Sequence, residues 1–173
     1  MHLRFYRRSM HSPSVDAFKT AFRLHPAGIA VVSARTAEGP VGLTASSVAS
    51  VGLDPLALAF SVTRSRGSAG GILRAESFVV NLVTARHVET AQAFAITGAD
   101  RFTPEQGWST LETGEPYLPS ARFALRCRPL QVTPVGASSL VLAEVLDVIE
   151  GEAGEPVVYF DRAFHVLNPT AVG

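Results

Sequence analysis

Cysteine is nearly absent: Cys127 is the only one in this 173-residue chain. An intramolecular disulfide and a cysteine-built metal or iron–sulfur site are thereby excluded, and the count fits a reducing, cytoplasmic setting. Net charge is absent as well, because 15 Lys and Arg balance 15 Asp and Glu. A domain that grips nucleic-acid phosphates carries a basic surplus, so that class is set aside. Long apolar runs are missing; none approaches the roughly 20 residues that cross a bilayer, and no membrane anchor is expected. Lysine is reduced to Lys19, with Arg supplying every other cation; that reflects GC-rich coding rather than chemistry.

Hydrolytic and metal signatures are missing too. The histidines are His2, His11, His25, His87 and His165, and no two stand at the spacing of a helical metal pair. There is no G-x-S-x-G elbow, and carboxylates fall in turns or on a helix rather than in catalytic pairs. No metal and no acid–base residue is expected. An enzyme made from this chain would take its chemistry from a cofactor.

What is there is a single domain rich in strands. Hydrophobic residues are 47% and charged residues 17%, a balance that builds a core and leaves room for a buried subunit interface. Residues 1–13 read as an N-terminal arm, either mobile or lying upstream of a natural start at Met10; residues 14–173 read as the domain. Ser12-Pro13 has the form of a helix start, with Ser as N-cap. Val15, Phe18, Ala21 and Phe22 then share one helical face, and His25-Pro26 ends the helix.

Gly28 to Ala34 reads as a buried strand, followed by a turn through Gly39-Pro40 and a second strand, Val41 to Val51. This second strand is unusual, being full of Gly, Ala, Ser and Thr. A strand that only filled a core would carry more Val, Ile and Phe. Small side chains let a flat ligand lie on the backbone, and hydroxyls offer it hydrogen bonds, although a Ser-rich edge strand facing water has the same composition. Leu56 to Val62 is another buried strand. Thr63 to Gly71 reads as a loop whose Ser and Arg residues, set before a short helix at Ile72, suit a phosphate; a flexible solvated loop reads the same way. Neither a Walker A nor a dinucleotide fingerprint is present.

Phe78 to Val83 is a strand in which Asn81 needs a buried partner. Arg86 to Ile96 reads as a helix with Val88, Ala91, Phe94 and Ala95 inward. Thr97 to Ser120 is a long connection whose Phe102, Trp108 and Tyr117 either bind a ligand or pin the loop. Alternation puts Cys127 in the core. A bend at Gly136 to Ser139 separates two long strands, and Val157 to Phe160 and Phe164 to Leu167 close the chain. The expected fold is mainly β: an antiparallel barrel with a few short flanking helices.

Read as an ordered series, these pieces resemble the flavin reductase family with the FMN-binding split-barrel fold, the small reductase partners of two-component flavin monooxygenases. The resemblance runs from Phe22-Arg23 and Gly28 to Val32 through Gly42 to Ser47, Ser50-Val51, Asp54-Pro55-Leu56, Arg64-Ser65 and Ser68. It continues with Phe78 to Asn81, Phe94-Ala95, Arg101-Phe102, Trp108, and the piece from Val158 to Arg162. It implies an antiparallel split barrel, a homodimer, and FMN or FAD reduced by NADH or NADPH through direct hydride transfer to flavin N5. Thr44, Ala45, Ser46 and Ser47 would line the isoalloxazine, with Ser50 beside them. Arg64, Ser65 and Ser68 would hold the phosphate or pyrophosphate, and Phe94 and Arg101 would lie near the shared site. Reduced flavin would pass to a partner oxygenase or to oxygen.

Two departures stand out. Where many relatives carry a His after the Gly of the bend, near the nicotinamide, this chain has Ser138, which hydrogen-bonds but carries no charge. Either NAD(P)H binds otherwise, through Arg162 or His165, or reduction is slow, or the chain binds flavin without being a reductase. A barrel that holds a different ligand is a further alternative. The second departure is Gly70-Gly71 in place of a His-Pro-type pair, which is expected to loosen the phosphate loop.

Overall fold

The structure, a computed structural model, describes residues 14–63 and 66–168. Helix α1 spans Val15–Arg23. The expected cap at Ser12 lies outside the described residues. The cap observed is Ser14, whose Oγ accepts from the Ala17 N–H at 3.3 Å. Val15, Phe18 and Phe22 share a face, but that face is bare, with exposures of 66%, 63% and 62%.

Among the described residues twelve strands follow, in three sheets. Strand β1 (Ala27–Gly28) pairs with β11 (Val157–Phe160), which pairs with β12 (Ala163–Val166). The main antiparallel sheet contains β2 (Ala30–Thr36), β3 (Gly39–Ala45), β4 (Ala49–Leu53), β5 (Leu56–Thr63), β6 (Phe78–Leu82), β9 (Phe123–Val135) and β10 (Ser138–Glu150). Its order is β3-β2-β6-β9-β10-β5-β4. A small ribbon of β7 (Ser109–Thr110) and β8 (Pro116–Tyr117) lies in the long connection. Helix α2 (Gly67–Arg74) joins β5 to β6, and α3 (Val88–Ala95) follows a 3-10 turn at Ala85–His87.

The expected single strand from Val41 to Val51 is corrected here. It is two strands on opposite edges of the sheet, broken at residues 46–48. Ser47 makes the break useful: its Oγ accepts from the Ser61 N–H at 2.9 Å and lies 3.0 Å from Ser61 Oγ, so the link is already fastened to β5 ahead of the β4–β5 pairing.

One face of the sheet closes on Val32, Leu58, Phe60, Val62, Phe78, Val80, Cys127 and Val141, with Ile72 of α2 as a plug. The other face of β2 packs Ile29 and Val31 against Ala91 and Phe94 of α3, Leu118 and Val157. Strands β2 and β6 are thus covered on both sides, which is why they read as unbroken apolar runs rather than alternating ones. Asn81 lies between the layers, fully buried. Its Nδ2 donates to the Val31 carbonyl at 2.8 Å and to Ser33 Oγ at 3.1 Å, and its Oδ1 accepts from the Leu118 N–H at 2.9 Å. Ser33 Oγ in turn donates to the Pro116 carbonyl at 2.6 Å. The polar pair fastens the end of the long connection to the sheet.

Phe102 and Trp108 settle the other question about that connection. Their rings lie 5.0 and 5.3 Å from Phe94, centroid to centroid, and 4.7 Å from each other. They pin the loop to α3. Two helix expectations are also revised. Ala95 is exposed and Thr90 is buried in its place. Gly70 and Gly71 are inside α2, not in a loose loop. A β-carbon at Gly71 would meet Val41 Cγ2 at 2.9 Å, so the bare backbone is what lets α2 lie directly on β3. No described helix is long and apolar enough to cross a membrane.

Candidate functional site

The floor of the site is the end of β3 and the residues that leave it. Residues 46–48 belong to no strand, so their backbone groups are not consumed by a ladder. Two adjoining cavities open here and share Thr44 and Ala95. One, of about 540 Å³, runs from Thr44 past Ser61 and Thr63 to Arg66, Gly67 and Ser68, and is closed by Phe94, Thr97 and Arg101. The other, of about 730 Å³, runs from Thr44 and Ser46 past Gln92 and Ala95 to Tyr159, Arg162 and Phe164. Together they form a groove with small residues at its centre, an arginine-bearing helix start at one end and an aromatic hairpin at the other.

The helix start fits an anion. The N-cap of α2 is Arg66, which supplies no side-chain cap, so among the described residues no side chain caps the first-turn N–H groups, which suit an anion. Thr63, Ser68 and Arg66 line the same cavity, adding hydroxyls and a cation. A flat apolar ring fits the centre, where Thr44, Ala95 and Ser46 present little bulk. These are the donors and the shape that a phosphorylated flavin needs.

The hairpin end owes its shape to the β11–β12 turn. Asp161 and Arg162 both have positive φ, 47° and 66°, as a tight two-residue hairpin requires. Arg23 of α1 holds this turn, with Nε 3.1 Å from Asp161 Oδ1 and its carbonyl accepting from the Asp161 N–H at 2.9 Å. The turn therefore aims Arg162 at the groove from a fixed base.

The residues expected from the sequence divide clearly. Thr44, Ser46, Ser68, Phe94, Arg101 and Arg162 are brought to the groove. The Thr44 hydroxyl is already donating to the Ala91 carbonyl at 2.6 Å, so it braces α3. Ala45 turns its side chain into the barrel core and can offer only backbone. Ser47 spends its hydroxyl on β5. Ser50 lines a different, apolar cavity with Leu53 and Leu56, because the strand break carries it to the other edge. His165 lines neither half of the groove; its Nε2 is 3.2 Å from the Phe160 carbonyl. Arg64 and Ser65 lie outside the described residues. Ser138 begins β10 directly opposite Thr63, beside the loop that leads into α2.

The sequence did not single out Thr63, Gln92, Thr97 or Tyr159, which also line the groove. Thr63 alone had a usable signal, as the first residue of the phosphate-like loop. Among the described residues, no group of three or more His, Cys, Asp or Glu is placed to hold a metal. Burial pushes the Cys127 thiol up to about 12, and it takes no part in the site.

Comparison with known proteins agrees with this geometry. The flavin reductase like domain matches residues 22–168. The NADH:FMN oxidoreductase of Rhodococcus qingshengii is 35% identical over 160 residues, which cover 90% of this chain and 82% of that protein. The flavin reductase (NADPH) of Lentzea aerocolonigenes is 33% identical over 171 residues, 98% of this chain and 99% of that one. Among solved structures, the styrene monooxygenase flavin reductase of Pseudomonas putida S12 superposes with a TM-score of 0.79 at 28% identity, covering 90% of this chain and 99% of that one. With the domain match spanning most of its length, the chain belongs to the flavin reductase family.

Proposed function

We propose that this chain is an NAD(P)H-dependent flavin reductase that supplies reduced FMN or FAD to a partner monooxygenase. The observation that carries this reading is the pair of adjoining cavities that share Thr44 and Ala95, one reaching the start of α2 and the other reaching Ser46 and Arg162. A bound flavin would supply the hydride acceptor and a bound nicotinamide the hydride, so the redox chemistry would come from the two cofactors. The protein's share is placement and exclusion. The α2 amides, Ser68 and Arg66 hold the phosphate end. Backbone groups of residues 44–46 meet the polar edge of the ring, and Ala95 leaves room for it. Arg162 and Tyr159 stand where a second, nicotinamide-bearing molecule would stack over the ring. Ser138 pairs with Thr63, which lines the α2 end of the groove rather than the Arg162 end, and Ser138 itself lines neither cavity.

A homodimer follows from the same reading. The bare apolar face of α1 and the exposed Leu53 and Val148 leave more oily surface than a monomer needs. The apolar cavity of about 480 Å³ beside Ser50, lined by Leu53, Leu56 and Val148, would be covered by the second copy. A cytoplasmic location suits the single reduced thiol. The reading is tested by NADH and NADPH oxidation with added FMN or FAD. Turnover well above the flavin-only control supports it, and none with any of the four pairs removes it.

A further inference from the structure

Arg101 stands where a cation could grip a phosphate, yet its donors are spent on the protein. Nε donates to the Ala93 carbonyl at 3.3 Å and Nη2 to the Ile96 carbonyl at 2.7 Å, closing the C-terminal end of α3. Nη1 donates to the Gly42 carbonyl at 3.1 Å and to Ser68 Oγ at 2.8 Å. The guanidinium carbon lies 5.5 Å from the centre of the Phe94 ring. Of five N–H donors, one Nη2 proton is left over. One side chain thus ties together the end of α3, the edge strand β3 and the first turn of α2, which are three walls of the cavity that Ser68 lines.

The bond to Ser68 has a direction. Arginine only donates, so Ser68 Oγ accepts, and the hydroxyl's own proton is turned away from Arg101. Among the described residues no acceptor takes that proton, and the hydroxyl lines the cavity beside the first turn of α2. A hydroxyl that accepts from a cation is also a better donor, since chained hydrogen bonds polarise one another.

We propose that Arg101 is a positioning residue that acts on the flavin through Ser68. It fixes the Ser68 hydroxyl as a donor to the flavin phosphate and so sets the preference for phosphorylated flavin over riboflavin. The proposal rests on reading the α2 cavity as the phosphate end of the groove. It differs from direct phosphate capture by Arg101, because it makes the effect of Arg101 depend on Ser68.

The test is a double-mutant cycle on the full chain, with Kd for FMN and for riboflavin measured by fluorescence titration of wild type, R101Q, S68A and the double variant. The quantity read is the ratio of the riboflavin Kd to the FMN Kd. R101Q and S68A are each expected to lower that ratio about tenfold, the size of one charge-assisted hydrogen bond. The double variant is expected to lower it no further than R101Q alone. R101K, which still reaches Ser68, recovers part of the ratio. If R101Q weakens FMN and riboflavin equally, Arg101 is only a brace and the proposal is overturned. A double variant that loses the product of the two single effects also overturns it, in favour of direct contact. Should R101Q not fold, S68A decides alone: an unchanged ratio overturns the proposal. Wild-type protein that binds both flavins equally overturns the proposal alone. Wild-type protein that binds neither overturns the reductase reading with it.

Discussion

Gly42 lies against the ring of Phe94 so closely that a β-carbon there would stand 2.5 Å from Phe94 Cε1 and 2.8 Å from Cδ1. The strand backbone and the α3 ring are in direct contact at the wall of the groove. Gly42→Ala forces the ring to move, and with it the contacts to Phe102, Trp108 and Arg101. The expected cost is about 1–3 kcal/mol of stability, typical of overpacking, together with weaker flavin binding. Urea denaturation and a flavin titration check both. Trimming the ring in G42A/F94L should restore part of the stability, and a neutral G42A would show that the ring is not fixed.

Asn81 provides the second prediction. Its amide satisfies the Leu118 N–H and bonds both the Val31 carbonyl and Ser33. Asn81→Leu keeps bulk but leaves the buried Leu118 N–H without its acceptor, at about 1–3 kcal/mol, while Ser33 keeps its bond to the Pro116 carbonyl. Hydrogen exchange is expected to speed up at the Leu118 amide before it does so across the barrel strands. Exchange that rises evenly over the whole domain would contradict the local role.

His87 gives the fold a pH dependence. It is buried, with Nδ1 3.2 Å from the Thr84 nitrogen and Nε2 3.0 Å from Ser120 Oγ. The Thr84 N–H can only donate, so Nδ1 accepts and the ring proton sits on Nε2. Burial, and then the neighbouring Arg86, lower its pKa below the ordinary value, against a weaker pull from Glu152. A lowered folded-state value means that the native state resists the proton that the unfolded chain accepts. This contribution is fully present above about pH 6.5 and is lost as pH falls from there toward the folded-state value. Denaturation midpoints measured across that window should slope less in His87→Gln than in wild type. Equal slopes would assign the pH dependence to other groups.

Cys127 is predicted to be inert in the native state. It is fully buried in the barrel, and burial raises its thiol to about 12. A thiol reagent should label it only at the rate of unfolding, with full labelling in denaturant. Rapid labelling of folded protein would mean that the barrel opens at β9.

Most of the strands, and the bend that joins β9 to β10, were legible along the chain because their runs are largely apolar or alternating, whereas the order of the strands in the sheet was not read. The break at residues 46–48 was not, since period-two alternation reports which face a residue occupies and says nothing about which edge its strand joins. That is why Ser50 was grouped with Thr44 and Ser46. Ser47 was expected to face the ligand because a hydroxyl looks the same whether it binds a ligand or another strand. The apolar stripe of α1 was readable as a stripe. What covers it was not, because nothing within the described chain does. Arg101 was placed at the groove by family resemblance. Its part as a clamp had no local signal, because its four acceptors come from β3, α2 and α3, all distant in sequence or set by helix ends.

The most direct test of the account is anaerobic mixing of the chain and FMN or FAD with NADH or NADPH, following the visible band of oxidised flavin. The account predicts bleaching much faster than in the protein-free mixture for at least one pair, which would also show that Ser138 suffices where a histidine is frequent. Flavin that stays bound and oxidised with both nicotinamides would contradict it.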